Sequence, residues 1–167
     1  TYNVSNIDIT PPEVLAVVSN NTASTNQCII LTANFSDDTV VKQYRINNGD
    51  WGLYSNGGVE VCENCTVEFR GIDAVGNISD IKTYNVTNID KFGPVIQISA
   101  EPDEWTNKTI VVSAVAGDIN GVRPLRYSLD SGKTWNNYND GIVMTKNGWV
   151  HFRAIDNAGN MTTKGLL

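Results

Sequence analysis

Any chemistry in this chain has to come from a short roster of side chains: three cysteines, one histidine, and carboxylates gathered near turns. Cys62-x-x-Cys65 has the spacing of a redox pair or of half a zinc site. A redox pair opens a helix, and no stretch here carries a helical pattern. Zinc needs two further ligands, and only Cys28 and the distant His151 are left to supply them. The cysteines point instead to a structural disulfide in an oxidising, extracellular setting. Asp73, Asp156, Asp118 and the pair Asp37-Asp38 are candidates for a calcium site at a domain end. Calcium takes ~6–8 oxygens, several of them from one compact loop. No D-x-D-x-D loop is present, so no metal or other cofactor is expected. Asp73 with Asn77, and Asp156 with Asn160, read as turn caps. His151 neighbours Phe152 on an alternating run that points it away from the core, and no Ser or Cys nucleophile can be assigned to it. Trp105 and Trp149 could stack on sugars, but core or hairpin packing is the expected role.

The stretch Ser128-Leu-Asp-Ser-Gly-Lys-Thr-Trp135 fits S-x-D-x-G-x-T-W and resembles the Asp-box of sialidases and other β-propeller proteins. A propeller needs at least ~4 four-stranded blades, far more chain than is available. Sialidase chemistry also needs an arginine cluster and a tyrosine nucleophile with a carboxylate partner. Arg45, Arg70, Arg123, Arg126 and Arg153 are spread along the whole chain, and no pairing repeats except Arg70 with Arg153. The motif therefore reads as a hairpin device. Asp130 accepts hydrogen bonds from the turn, Gly132 takes an unusual φ, and Trp135 packs back on the strands.

The elements that carry these residues follow from composition and repetition. The chain has 167 residues, 41% of them hydrophobic, which suffices for a packed core. A net charge of −6 argues against nucleic acid and anionic membrane as partners. No run of ~18 apolar residues occurs, so no membrane insertion is expected. The chain opens on Thr1 with neither an initiator methionine nor a signal-peptide pattern, which reads as a piece of something longer.

Two copies of one unit are visible. TYNVSNID (1–8) returns as TYNVTNID (83–90), and FRGIDAVGN (69–77) as FRAIDNAGN (152–160). STNQCIILTA (24–33) answers WTNKTIVVSA (105–114), YRINNGDWGLY (44–54) answers YSLDSGKTWNNY (127–138), and VEVCENCTVEFR (59–70) answers IVMTKNGWVHFR (142–153). Offsets stay between 81 and 84, the mark of tandem domains. We expect residues 1–8 to be the tail of an upstream repeat, 9–90 a first domain, and 91–167 a second whose last strand is cut short. Pro11-Pro12 and Phe92-Gly93-Pro94 open the two domains and stiffen the joints.

Within each copy the apolar residues alternate. Ile29, Leu31 and Ala33, with Ile110, Val112 and Ala114, should face inward, as should Val67, Phe69, Val150 and Phe152. Turn signals recur about every ten residues, among them Asn48-Gly49 before Trp51, Gly57-Gly58, Gly76-Asn77, Gly141 and Gly159-Asn160. Asn147-Gly148, set between two alternating runs, is expected to close a hairpin. About seven short strands per copy predict an all-β fold of two tandem immunoglobulin-like or fibronectin III-like sandwiches.

A resemblance sharpens this. The wording Asn88-Ile89-Asp90 with Pro94, Ala116-Gly117-Asp118, Tyr127 through Trp135, Asn147-Gly148, and Ala154 through Asn160 is similar to bacterial immunoglobulin-like repeats of large surface or secreted proteins. It covers nearly the whole chain. The first copy departs from it: its hairpin shortens to INNGDW, and Cys65 replaces the turn glycine. In such a sandwich the end of the fifth strand lies near the start of the second, placing Cys62 close to Cys28. Chain entropy favours Cys28–Cys62, at about 4 kcal/mol against about 2 for Cys62–Cys65. Proximity along the chain favours Cys62–Cys65, which is the expected bridge, with Cys28–Cys62 as the alternative. The resemblance implies a non-catalytic, monomeric spacer or stalk module at a cell surface, its partners being neighbouring repeats. An adhesin-type module for a glycan or host protein is the alternative, with its ligand loops around 20–26 and 52–58. Accessory domains of a secreted glycosidase are a weaker one.

Overall fold

A computed structural model describes residues 3–166; Thr1, Tyr2 and Leu167 lie outside the described residues. The described residues form strands and turns, with no helix. They divide into two compact units, one of residues 3–23 and 27–89, the other of 24–26 and 90–166. The first unit contains β1 (Val14–Ser19), β2 (Ile29–Phe35), β3 (Val41–Ile46), β4 (Gly52–Leu53), β5 (Val59–Val61), β6 (Cys65–Ile72) and β7 (Lys82–Val86). The second contains β8 (Val95–Glu101), β9 (Ile110–Gly117), β10 (Arg126–Ser128), β11 (Asn136–Asn137), β12 (Ile142–Met144), β13 (Val150–Ile155) and β14 (Met161–Leu166).

Each unit is a sandwich of a three-stranded and a four-stranded antiparallel sheet, in the same order. The first has β1-β2-β5 and β4-β3-β6-β7; the second has β8-β9-β12 and β11-β10-β13-β14. The cause is the period-2 pattern. Along β2 every second residue from Ile29 to Phe35 is buried and the intervening ones are exposed, so one pleated face supplies the core. Phe69 and Val67 of β6 meet that face from the other sheet, with Val59, Val61 and Val86 closing the sides. In the second unit Phe152 and Val150 of β13 meet Val112 and Ala114 of β9. Tyr54 and Tyr138 sit edge-on against Phe69 and Phe152, at 5.7 and 5.3 Å between ring centres. Their hydroxyls accept hydrogen bonds from the Ala33 and Ala114 N–H groups, at 2.9 and 3.1 Å. Pro12 and Pro94 are buried just ahead of β1 and β8.

One sequence expectation about the strands is corrected. Asn147-Gly148 does not close a hairpin: β12 pairs with β9, whereas β13 pairs with β10 and β14. The turn carries the chain from one sheet to the other, because alternation marks a strand without naming its partner. In the first unit the left-handed turn residues are Asn47 and Asn48, with φ of 49° and 60°, and Gly49 closes the turn by donating its N–H to the Ile46 carbonyl.

Candidate functional site

The Asp-box lies between β10 and β11, which pair through Arg126 with Asn137 and Tyr127 with Asn136. Asp130 accepts hydrogen bonds from the Ser128 hydroxyl (2.7 Å), the Thr134 N–H (2.9 Å) and the Thr134 hydroxyl (2.6 Å). These bonds, those from Thr134 foremost, hold its carboxyl far below the usual carboxylate range. A carboxyl so engaged is neither a general acid nor a free base. Gly132 has φ +84°, and an added Cβ would lie 3.4 Å from the Trp135 ring, so glycine both makes the turn and admits the indole. Arg153 of β13 lies over the Trp135 ring, 4.3 Å from its centre. The first unit builds the same stack with Arg70 over Trp51 at 4.1 Å and Arg45 at 4.7 Å, the latter also paired to Glu68 at 2.6 Å. Three of the five arginines, Arg45, Arg70 and Arg153, thus lie over tryptophans, one tryptophan per unit.

The two D-x-x-G-N corners are turn caps in the structure. Asp73 Oδ1 accepts from the N–H groups of Val75, Gly76 and Asn77, and Oδ2 from the Asn77 amide at 2.8 Å. Burial alone pushes the Asp73 carboxyl up; the hydrogen bonds, led by those from Asn77, outweigh it and hold it below its ordinary value. Asp156, fully buried, accepts from Gly159 N–H, Asn160 N–H and the Asn160 amide. Each corner asparagine also grips the Asn-Ile-Asp wording: Asn77 donates to the Asp8 carbonyl at 3.3 Å, and Asn160 to the Asp90 carbonyl at 2.9 Å.

Asp90, Asp118 and Asp156 bring one carboxylate oxygen each within 4.8 Å of one another. Asn120 donates to Asp90 at 2.6 Å through its amide and to Asp118 at 2.8 Å through its backbone N–H. Hydrogen bonds already engage each of these carboxylates. Asp37 and Asp38 occupy an exposed turn and join no such cluster among the described residues.

The disulfide joins Cys28 to Cys62, with 4.1 Å between Cα atoms, and not Cys62 to Cys65. The physical reason is register. Ile29 pairs with Val61 across β2 and β5, so the next residues out face each other at cross-strand distance. Cys65 instead begins β6 in the opposite sheet, paired with Val86. Its thiol is pushed up by burial and then by the charge of Glu63, which leaves little thiolate for redox or nucleophilic chemistry.

His151 points off the core and stacks on Trp149 at 5.8 Å, with its Nδ1 buried and without a hydrogen-bond partner. Trp105 departs from expectation. It is fully exposed (100%) in the loop before β9, and Trp149 is about half exposed (48%). Neither belongs to the core, because Trp105 precedes the alternating run and Trp149 precedes β13. Trp105 borders a groove of about 760 Å³ at one end of the second unit, floored by Ile110, Val112, Met144 and Val150. This groove and the two tyrosine–backbone hydrogen bonds were not read from the sequence. The tyrosines carry a signal, since Tyr54 and Tyr138 close the same repeated segment.

Among solved structures the chain is similar to the fibronectin(III)-like modules of Clostridium thermocellum CbhA, at 11% identity over 90% of this chain and 91% of that one, with a TM-score of 0.37. No protein-family model matches the chain, and no curated protein matches it. The sandwich assignment rests on the strands and their pairing.

Proposed function

We propose that the chain is a non-catalytic pair of immunoglobulin-like repeats serving as a spacer or stalk module of a bacterial surface or secreted protein. The observation that carries this is the duplication itself: two units of matching strand order, each closing its own core. A module of this kind folds locally and adds length by repetition. The side chains with chemical potential support a structural role. Asp130, Asp73 and Asp156 are spent on turns, Arg45, Arg70 and Arg153 on tryptophans, and two of the cysteines on a bridge. The bridge also supports an oxidising location outside the cell.

Stretching a single molecule between its ends tests the reading. Two separate unfolding events are expected. The Cys28–Cys62 bridge encloses a sequence separation of 34 residues. At ~3.3–3.6 Å per residue, the first unit should release about 11–12 nm less chain when oxidised than when reduced. One rupture for the whole chain, with no step that depends on reductant, would sink the stalk reading.

A further inference from the structure

The outer faces of the two four-stranded sheets differ at one matched set of positions. In the first unit Gln43 of β3 lies directly opposite Arg70 of β6, and Arg45 opposite Glu68. Both arginines find acceptors across the strands: Arg70 Nε donates to Gln43 Oε1 at 2.8 Å, and Arg45 Nε to Glu68 at 2.6 Å. The equivalent positions of the second unit hold Arg126 opposite Arg153 and Ser128 opposite His151. No amide or carboxylate oxygen is left in that set. The Ser128 hydroxyl is committed to Asp130 and to the Gly132 N–H. Arg153 Nε is buried without a hydrogen-bond partner. Among the described residues neither Arg126 nor Arg153 is ion-paired to a carboxylate.

Like charges directly opposite each other on a sheet repel, and an unmet donor adds to the cost. The neighbours do not relieve it. Tyr127 and Phe152 take the core side of the same ladder, so Arg126 and Arg153 stand on the outer face. Their partners on the flanking strands, Asn137 and Thr163, share that face and are exposed. The row Asn137, Arg126, Arg153, Thr163 crosses the whole sheet, about 14 Å at the usual strand spacing. Its centre is cationic and its flanks are neutral and polar, on a chain whose net charge is −6. In the first unit the residue opposite Gln43 is Leu53, so that row is neither doubly charged nor polar at its flank.

We propose that Arg126 and Arg153 form a binding site for a carboxylate of an acidic polysaccharide, a polymer of uronic acid. A planar carboxylate supplies the acceptor that Gln43 supplies in the first unit, and it offsets the repulsion between the two guanidinium groups. Arg153 is fixed beforehand: its guanidinium lies over the Trp135 ring at 4.3 Å, held by cation–π attraction. Arg126 is exposed and turns to admit the ligand. Asn137 and Thr163 then meet hydroxyls of the sugars on either side. An acidic peptide fits less well. β10 runs between β11 and β13, and β13 between β10 and β14, so neither strand has a free backbone edge for a peptide to pair with. The site lies on a sheet face of the second unit, whereas the sequence reading placed an adhesin's ligand loops around 20–26 and 52–58 of the first.

Arg126→Gln tests the site and spares the fold, because it installs the pairing that the first unit already uses. The melting temperature of the second unit should hold or rise in this variant. Titration calorimetry of the unmodified chain with a galacturonic acid tetramer should show binding that weakens as salt is added. Affinity should fall about tenfold or more in Arg126→Gln, and again in Arg153→Gln, the loss of a charge-assisted hydrogen bond. The methyl-esterified tetramer, with the same rings and no charge, should bind the unmodified chain as weakly as the acid binds the variants. A chain that ignores the acidic tetramer, or variants that bind it as well as the unmodified chain does, overturn the proposal. Equal affinity for acetate alone would mark a small-anion site and sink the polysaccharide; tighter binding of hexaglutamate would mark a protein partner and sink it too. Self-association in sedimentation velocity that Arg126→Gln abolishes would put a carboxylate of a second copy there instead. A sharp fall in the melting temperature of Arg126→Gln would mean that the arginine pair serves the fold, and would also overturn the assignment.

Discussion

Asp130 shows how a motif associated with enzymes becomes a structural part. Its hydrogen bonds are local, from Ser128, Lys133 and Thr134, and they favour the charged form. Its folded pKa is therefore depressed. The stability it contributes is fully present above the unfolded value, about pH 4, and is lost as pH falls toward the lower folded value. The melting temperature of the second unit should be lower in Asp130→Asn than in the unmodified chain at neutral pH, and the gap should shrink below about pH 4. A gap that is constant with pH would mean that the charge is not what holds the turn. Much of this was legible in SLDSGKTW, because turn chemistry is local. What the sequence hid at this scale is non-local: Trp135 takes its stacking partner, Arg153, from another strand, and no spacing along the chain encodes that meeting.

At the scale of strands, alternation located the buried faces correctly, down to Ile29, Leu31 and Ala33 on β2. It could not say which strand neighbours which. That gap accounts for both misreadings, the Asn147-Gly148 hairpin and the Cys62–Cys65 bridge. Each joined segments that are close in sequence but begin or end in opposite sheets. The bridge that forms instead ties β2 to β5 within one sheet and encloses a longer loop. Closing a loop of that length restricts the unfolded chain by about 4 kcal/mol in the loop-entropy account. Replacing Cys28 and Cys62 together by serine should lower the denaturation midpoint of the first unit accordingly and leave that of the second unchanged. Cys65→Ser should move neither by a comparable amount. Chemical denaturation followed by separate probes on the two units would show it. An equal loss from Cys65→Ser would overturn the assignment.

For the molecule as a whole, repetition said most. Near-constant offsets announced two units before any strand was placed, and the units share a strand order because they share the spacing of apolar residues and turns. If each unit is held by its own core, damage to one core should stay in that unit. Phe69 and Phe152 occupy equivalent positions and are both fully buried. Truncating either to alanine removes a ring and leaves a cavity, at a cost of about 3–5 kcal/mol. A unit of this size holds only ~4–12 kcal/mol in total, so the affected unit should approach unfolding near room temperature. Calorimetry on Phe69→Ala should show the first unit melting far earlier and the second where it was, and Phe152→Ala the reverse. The double variant should be the sum of the two, since sites without shared partners add. A single transition that shifts as one in both variants would mean that the units stand or fall together.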